Sequence, residues 1–107
     1  MQRRMASIAQ MSPDISGYAR SIGVNVTTTA AIVLQNNRRR YSAIFVNDSD
    51  TVIYLALGEI AVVNSGIRLN ANGGSLELNL LNLYRGDVYA IHGGTGNKVL
   101  CVSELQE

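Results

Sequence analysis

Tryptophan is absent from these 107 residues, and cysteine, histidine and proline occur once each. With Cys101 alone no internal disulfide can form, and its place in the apolar run KVLCVSEL predicts a buried structural thiol. With His92 alone a histidine-based metal cluster is excluded. A general base would need a nucleophile partner that the sequence does not locate, so His92 is expected to be structural, at a strand end. Charge is scarce as well: nine basic residues against eight acidic give a net +1, so no global field draws the chain to nucleic acid or to an anionic membrane. Nucleic acid is not expected as the main partner, and no membrane association is expected. The longest apolar stretch, Val52 to Val63, is broken by Gly58 and Glu59 and falls short of the roughly 20 residues that span a bilayer. Arg3 and Arg4 are not followed by an apolar h-region, so no secretory signal is expected and the chain is read as soluble, made in the cytoplasm.

What is present is a chain of one domain's length, for which folding hides roughly 65% of the unfolded surface. Ten glycines and frequent Asn predict many tight turns. The organising stretch is Arg38 to Gly58, RRRYSAIFVNDSDTVIYLALG. Ala43 and Phe45 alternate with Ile44 and Val46; then Ile53, Leu55 and Leu57 alternate with Val52, Tyr54 and Ala56. Runs this rich in β-branched and aromatic residues predict two strands. The connector Asn47-Asp48-Ser49-Asp50 predicts that they pair as an antiparallel hairpin.

Residues 1–20 show no clean periodicity, and the one proline, Pro13, sits among Ser12, Asp14 and Ser16. They read as an extended N-terminal arm, followed by a β-domain over 21–107. From Ser21 the alternation of Val24 and Val26 with polar residues, then Ile32 and Leu34, predicts one or two strands. After Gly58 a short strand is expected at Ile60 to Val63 and another around Ile67 and Leu69. Asn70-Ala71-Asn72-Gly73-Gly74 is the strongest loop signal. Leu76, Leu78 and Leu80 alternate with Glu77 and Asn79 in a half-buried strand. Val88 to His92 and Lys98 to Glu104 complete the set, with Gly93 to Asn97 expected as a hairpin loop between them. The fold class is therefore all-β: a single β-sandwich or jelly-roll-like domain of seven to eight short antiparallel strands with an extended N-terminal arm.

No set of residues suited to catalysis or to a cofactor stands out. Gly93 to Lys98, GGTGNK, lacks the spacing and the Ser or Thr of a phosphate loop and lies between two strands rather than before a helix. Asp48, Asp50 and Glu59 lack the loop pattern that a calcium site needs, so an Asx-rich turn is expected. Arg85-Gly86-Asp87 reads as a turn. The residues expected to touch a partner are those of the arm, Arg3, Arg4, Met5, Ile8, Met11 and Ile15, and those of the rim, Arg38, Arg39 and Arg40.

The segments NNRRRYSAIFVNDSDTVIYLALGEIAVVNSGIRLNANGGSLEL and YRGDVYAIHGGTGNKVLCVSEL resemble small tailed-phage and prophage virion structural proteins over residues 35–105. The shared features are an Asn-Xaa-Arg lead into an apolar strand ending in Asn, an "iyl..G" strand, a "Gi.L..gg" turn and a "G.vyaI" strand. The resemblance implies a non-enzymatic β-sandwich component of a virion, of the capsid decoration (cement) type. It further implies binding to a major capsid protein or another virion protein, with a homo-oligomer, a trimer, as the expected form. Its location would be the capsid surface. The alternative from another class is a carbohydrate- or receptor-binding module of a phage tail or fibre, for which Tyr18, Tyr41 and Tyr84 are the available stacking platforms.

Overall fold

The structure, a computed structural model, describes residues 17–107. Eight strands follow in order: β1 Tyr18–Val26, β2 Ala31–Leu34, β3 Arg40–Asn47, β4 Ile53–Leu57, β5 Ile67–Leu69, β6 Ser75–Leu78, β7 Val88–His92 and β8 Lys98–Gln106. They form two four-stranded antiparallel sheets with orders β1-β8-β3-β6 and β2-β7-β4-β5. Every connection except β4–β5 therefore passes from one sheet to the other. The chain is an all-β sandwich, and no helix among the described residues is long and apolar enough to cross a membrane.

Alternation decides which side chains meet between the sheets. Ala43 and Phe45 of β3, Leu100 and Val102 of β8, Ile53 and Leu55 of β4, and Val88 and Ala90 of β7 point inward and make one continuous core. β4 is buried on its outer side too. There Tyr54 lies beneath the segment that follows the strand, and its hydroxyl bonds Asn64 Oδ1 at 2.8 Å. Asn64 and Gly66 both hold positive φ, at 67° and 79°, which turns the chain back into β5.

Four expectations are corrected. The strands 40–47 and 53–57 exist, but they do not pair as a hairpin: β3 lies between β8 and β6 in one sheet, β4 between β7 and β5 in the other. Likewise Gly93–Asn97 is a corner between sheets rather than a hairpin loop. The physical reason is that both runs bury their inward residues against each other face to face, which an in-plane pair cannot do. Ile60 to Val63 forms no strand, and Ile60 and Val62 are exposed. The domain also begins earlier than Ser21. Tyr18, Ala19 and Arg20 pair with Gln106, Leu105 and Glu104, so β1 takes the last residues assigned to the arm. The rest of the arm, residues 1–16, lies outside the described residues.

Candidate interaction surface

Both ends of β3 carry a buried polar residue that holds a corner of the sandwich. At one end Asn47 is fully buried, and its Nδ2 donates to Thr51 O at 2.8 Å and to Leu69 O at 3.0 Å. Its Oδ1 accepts from Ser49 Oγ at 2.7 Å. The polar connector thus ties β3 to the end of β5 across the core. At the other end Arg40 is 0% exposed. Its Nε donates to Glu104 Oε2 at 2.8 Å, Nη1 to the carbonyls of Tyr84 (2.9 Å) and Gly86 (3.1 Å), and Nη2 to the carbonyl of Gln35. The Arg40 carbonyl in turn accepts from Arg85 Nε at 2.7 Å. Arg40 therefore anchors the 35–39 and 79–87 loops to the sheet.

The rim role expected for Arg40 is thereby corrected. Ala43, Phe45 and Asn47 face inward, so simple alternation puts Arg40 outward with Ser42. A bulge in the β3–β8 ladder between Arg40 and Ser42 inserts one extra residue and reverses the parity. Of the three arginines only Arg38 and Arg39 are exposed; with Asn36 and Asn37 they line a shallow recess. Arg3, Arg4, Met5, Ile8, Met11 and Ile15 lie outside the described residues.

Among the described residues, one open side of the sandwich lies between the end strands β1 and β2. Tyr18, Arg20, Ile22, Val24 and Val26 sit opposite Gln106, Glu104, Val102, Leu100 and Lys98, so they share the inner face of their sheet. Exposure nevertheless rises along the strand, from 2% at Val26 to 44% at Ile22 and 66% at Tyr18. The cause is length. β1 has nine residues and β2 four, so the opposite sheet covers only the Val26 end. The result is a groove of about 710 Å³ between the two edges, where the apolar Tyr18, Ile22, Ile32 and Leu34 lie beside the charged pair Arg20 and Glu104 and the polar Asn37 and Gln106. Of the groove residues, Tyr18 was expected only as a stacking platform for a carbohydrate or receptor, and Ile22 was not among the expected contacts.

The remaining expectations fall as follows. Cys101 is exposed, not buried: it lies on the outer face of β8 between Gly23 of β1 and Val46 of β3, because Leu100 and Val102 take the inward positions. His92 is buried at the end of β7, with Nδ1 accepting from the Gly94 amide at 3.0 Å and Nε2 bonding Gly96 O at 2.7 Å. Both ring nitrogens are engaged in shaping the β7–β8 corner. Asp50 accepts from Lys98 Nζ and from Thr51 Oγ1, both at 2.9 Å, and these bonds, Lys98 foremost, hold its carboxyl below the ordinary value of 3.8. Among the described residues no group of three or more His, Cys, Asp or Glu is placed to hold a metal ion.

No protein-family model and no curated protein matches the sequence. The fold is similar to a solved structure from Bacillus endospore appendages, described as a novel family of disulfide-linked pili. The likeness has a TM-score of 0.50 at 18% identity and covers 83% of this chain and 84% of the other. At that identity it speaks for the shared two-sheet architecture.

Proposed function

We propose that this protein is a non-enzymatic structural subunit that works by docking into a larger protein assembly. The observation that carries this reading is the inner face of β1, where, among the described residues, Tyr18 and Ile22 stand open beside the end-strand edge of the sheet. An end-strand edge flanked by exposed apolar side chains is a template for protein contact. The sequence resemblance gives the assembly a specific form: a decoration protein on a capsid surface, which binds the completed lattice and stabilises it by mass action. The likeness of fold to an appendage subunit favours a filament as the second form. A continuous disulfide linkage of the kind described for those pili would need two cysteines in each subunit, and these residues contain only Cys101. Cys101 can join copies in pairs and no further.

A carbohydrate- or receptor-binding role has less behind it. Tyr41 and Tyr84 are half-buried, which leaves Tyr18 as the one exposed ring of the three.

The test is co-sedimentation of the full chain with mature shells and with free capsid subunits, beside electron microscopy of the chain alone. Preferential binding to shells supports decoration. Ordered filaments from the chain alone select the second form. A chain that stays monomeric and binds neither shells nor subunits overturns the assembly reading.

A further inference from the structure

Resting on the assembly reading above, we propose that the 79–82 turn of one copy, led by Leu81, docks in the groove between β1 and β2 of the next copy, so that copies join side by side by opposite edges. The knob is built before any partner arrives. β6 ends at Leu78, and Leu80 and Leu81 fall in the turn beyond it. Asn82 Oδ1 accepts from the Asn79 amide at 2.8 Å, Asn79 Oδ1 accepts from the Leu81 amide at 2.9 Å, and Asn82 Nδ2 donates to Glu77 O at 3.0 Å. So fixed, the turn holds Leu80 exposed and leaves Leu81 96% exposed, the most open large apolar residue among those described. The backbone that carries Leu81 has little freedom left to lose on binding, which favours an anchor that fills an apolar recess.

Ladder register sets the knob level with the groove. Arg20, Glu104, Ala43 and Leu78 form one row across the sheet, from β1 at one edge to β6 at the other. β6 runs from the Val46 row to the Ala43 row, so the turn after Leu78 lies beyond that row toward the level of Tyr18, where the groove is most exposed. A neighbour set beside the sheet with little shift along the strands therefore brings its Leu81 to the Tyr18 end of the groove. Charge selects this pairing over its alternatives. Glu77 stands exposed beside the turn, and Arg20 stands exposed in the groove, where Arg40 already holds Glu104 from within. Knob against groove sets Glu77 toward Arg20, whereas knob against knob sets Glu77 against Glu77, and groove against groove sets Arg20 against Arg20. Because the two patches differ and lie on opposite edges, the contact repeats from copy to copy, closing as a ring or running on as a filament.

The experiment uses full chains in a Cys101→Ser background. One chain carries Leu81→Cys and the other Tyr18→Cys; they are mixed under mild oxidation and resolved on a denaturing gel. A cross-linked heterodimer is expected, and none when the second chain instead carries Thr95→Cys, exposed at the far end of the sandwich. A chain carrying Leu81→Cys and Tyr18→Cys together should give a ladder of multimers. A homodimer of the Leu81→Cys chain alone, in equal yield, pairs knob with knob and overturns the inference. So does a native chain that co-sediments with phosphatidylcholine or phosphatidylserine vesicles while Leu81→Asp does not, since the leucine then belongs to a lipid surface. In parallel, Leu81→Asp in the native chain is expected to weaken assembly at least tenfold, or about 1.4 kcal/mol, with its circular dichroism spectrum unchanged. If the native chain assembles, alone or on a shell, but no cross-link between positions 81 and 18 forms and Leu81→Asp assembles normally, the knob inference fails while the assembly reading stands. If the native chain does not assemble at all, both fail.

Discussion

Replacing Arg40 by Met should remove a large share of the stability of this domain. The side chain is fully buried and serves four acceptors: the Glu104 carboxylate and the carbonyls of Gln35, Tyr84 and Gly86. Taking away one member of a buried ion pair costs about 3–5 kcal/mol, and the Arg20 guanidinium, 3.8 Å from Glu104 but itself 67% exposed, makes good little of what the carboxylate loses. A domain of this size has about 5–15 kcal/mol in all. In urea, with a slope of about 1.5 kcal/mol/M, the midpoint should fall by about 2–3 M. Arg40→Lys tests geometry against charge. A lysine keeps the charge but has no planar fork with which to reach Glu104 and carbonyls on two separate loops, so most of the loss should remain. Arg40→Met combined with Glu104→Leu should recover part of it, since no lone charge is then buried, but not all, because three carbonyls still lack their donor. If Arg40→Met unfolds within about 1 kcal/mol of the native chain, the guanidinium does not organise this end of the sandwich and the reasoning is wrong. A cycle showing no coupling between positions 40 and 104 would lead to the same conclusion.

Asn47→Asp should cost at least about 3 kcal/mol, because it places a carboxylate against the carbonyls of Thr51 and Leu69 in a dry site; thermal denaturation reads it. Asp50 makes a pH-dependent contribution of predictable sign. Its folded carboxyl sits below 3.8, so the Lys98 contact is fully present above that value and is lost as the pH falls through the lower folded value. Asp50→Asn should therefore flatten the acid limb of a stability profile below about pH 4 and leave neutral stability little changed, the pair being exposed on the Asp50 side. Deleting residues 1–16 should leave the circular dichroism spectrum and melting temperature close to native, since all eight strands lie within 18–106. It should weaken attachment to the assembly at least tenfold, about 1.4 kcal/mol, as read by co-sedimentation; native-strength attachment would move the docking surface to Arg38 and Arg39.

Much of the element order was legible in local pattern. Val88–His92 matches the structure residue for residue, 53–57 lies within the second run that was read, and 40–47 contains the first, Ala43 to Val46, extended by Arg40 from the rim and Asn47 from the connector, because half-buried strands must alternate and their ends must be punctuated by Gly, Asn and Asp. The loop at Asn70–Gly74 was equally visible, since Asn72 and Gly73 hold the positive φ that these residues tolerate. Side-chain direction was read less well. Cys101 sits in an apolar run, yet its neighbours Leu100 and Val102 hold the inward parity and leave it outside. The groove at Tyr18 and Ile22 was hidden for a different reason: exposure there depends on the lengths of two strands in separate sheets, a comparison that no local window contains.

By itself the sequence determined what its residues can do over short range: strand runs, turns, a single domain's worth of apolar surface, and too few histidines and cysteines for a metal cluster of those residues or an internal disulfide. Tertiary structure decided which strands became neighbours, sending β3 and β4 into opposite sheets although they are consecutive. It also set the parity at the β3 bulge, which turned Arg40 from an expected surface charge into the buried clamp of one corner. The physical reason is common to both. Pairing partners and ladder register come from side-chain burial between distant segments, and a single inserted residue, energetically minor in the strand that carries it, reverses the face of every residue beyond it.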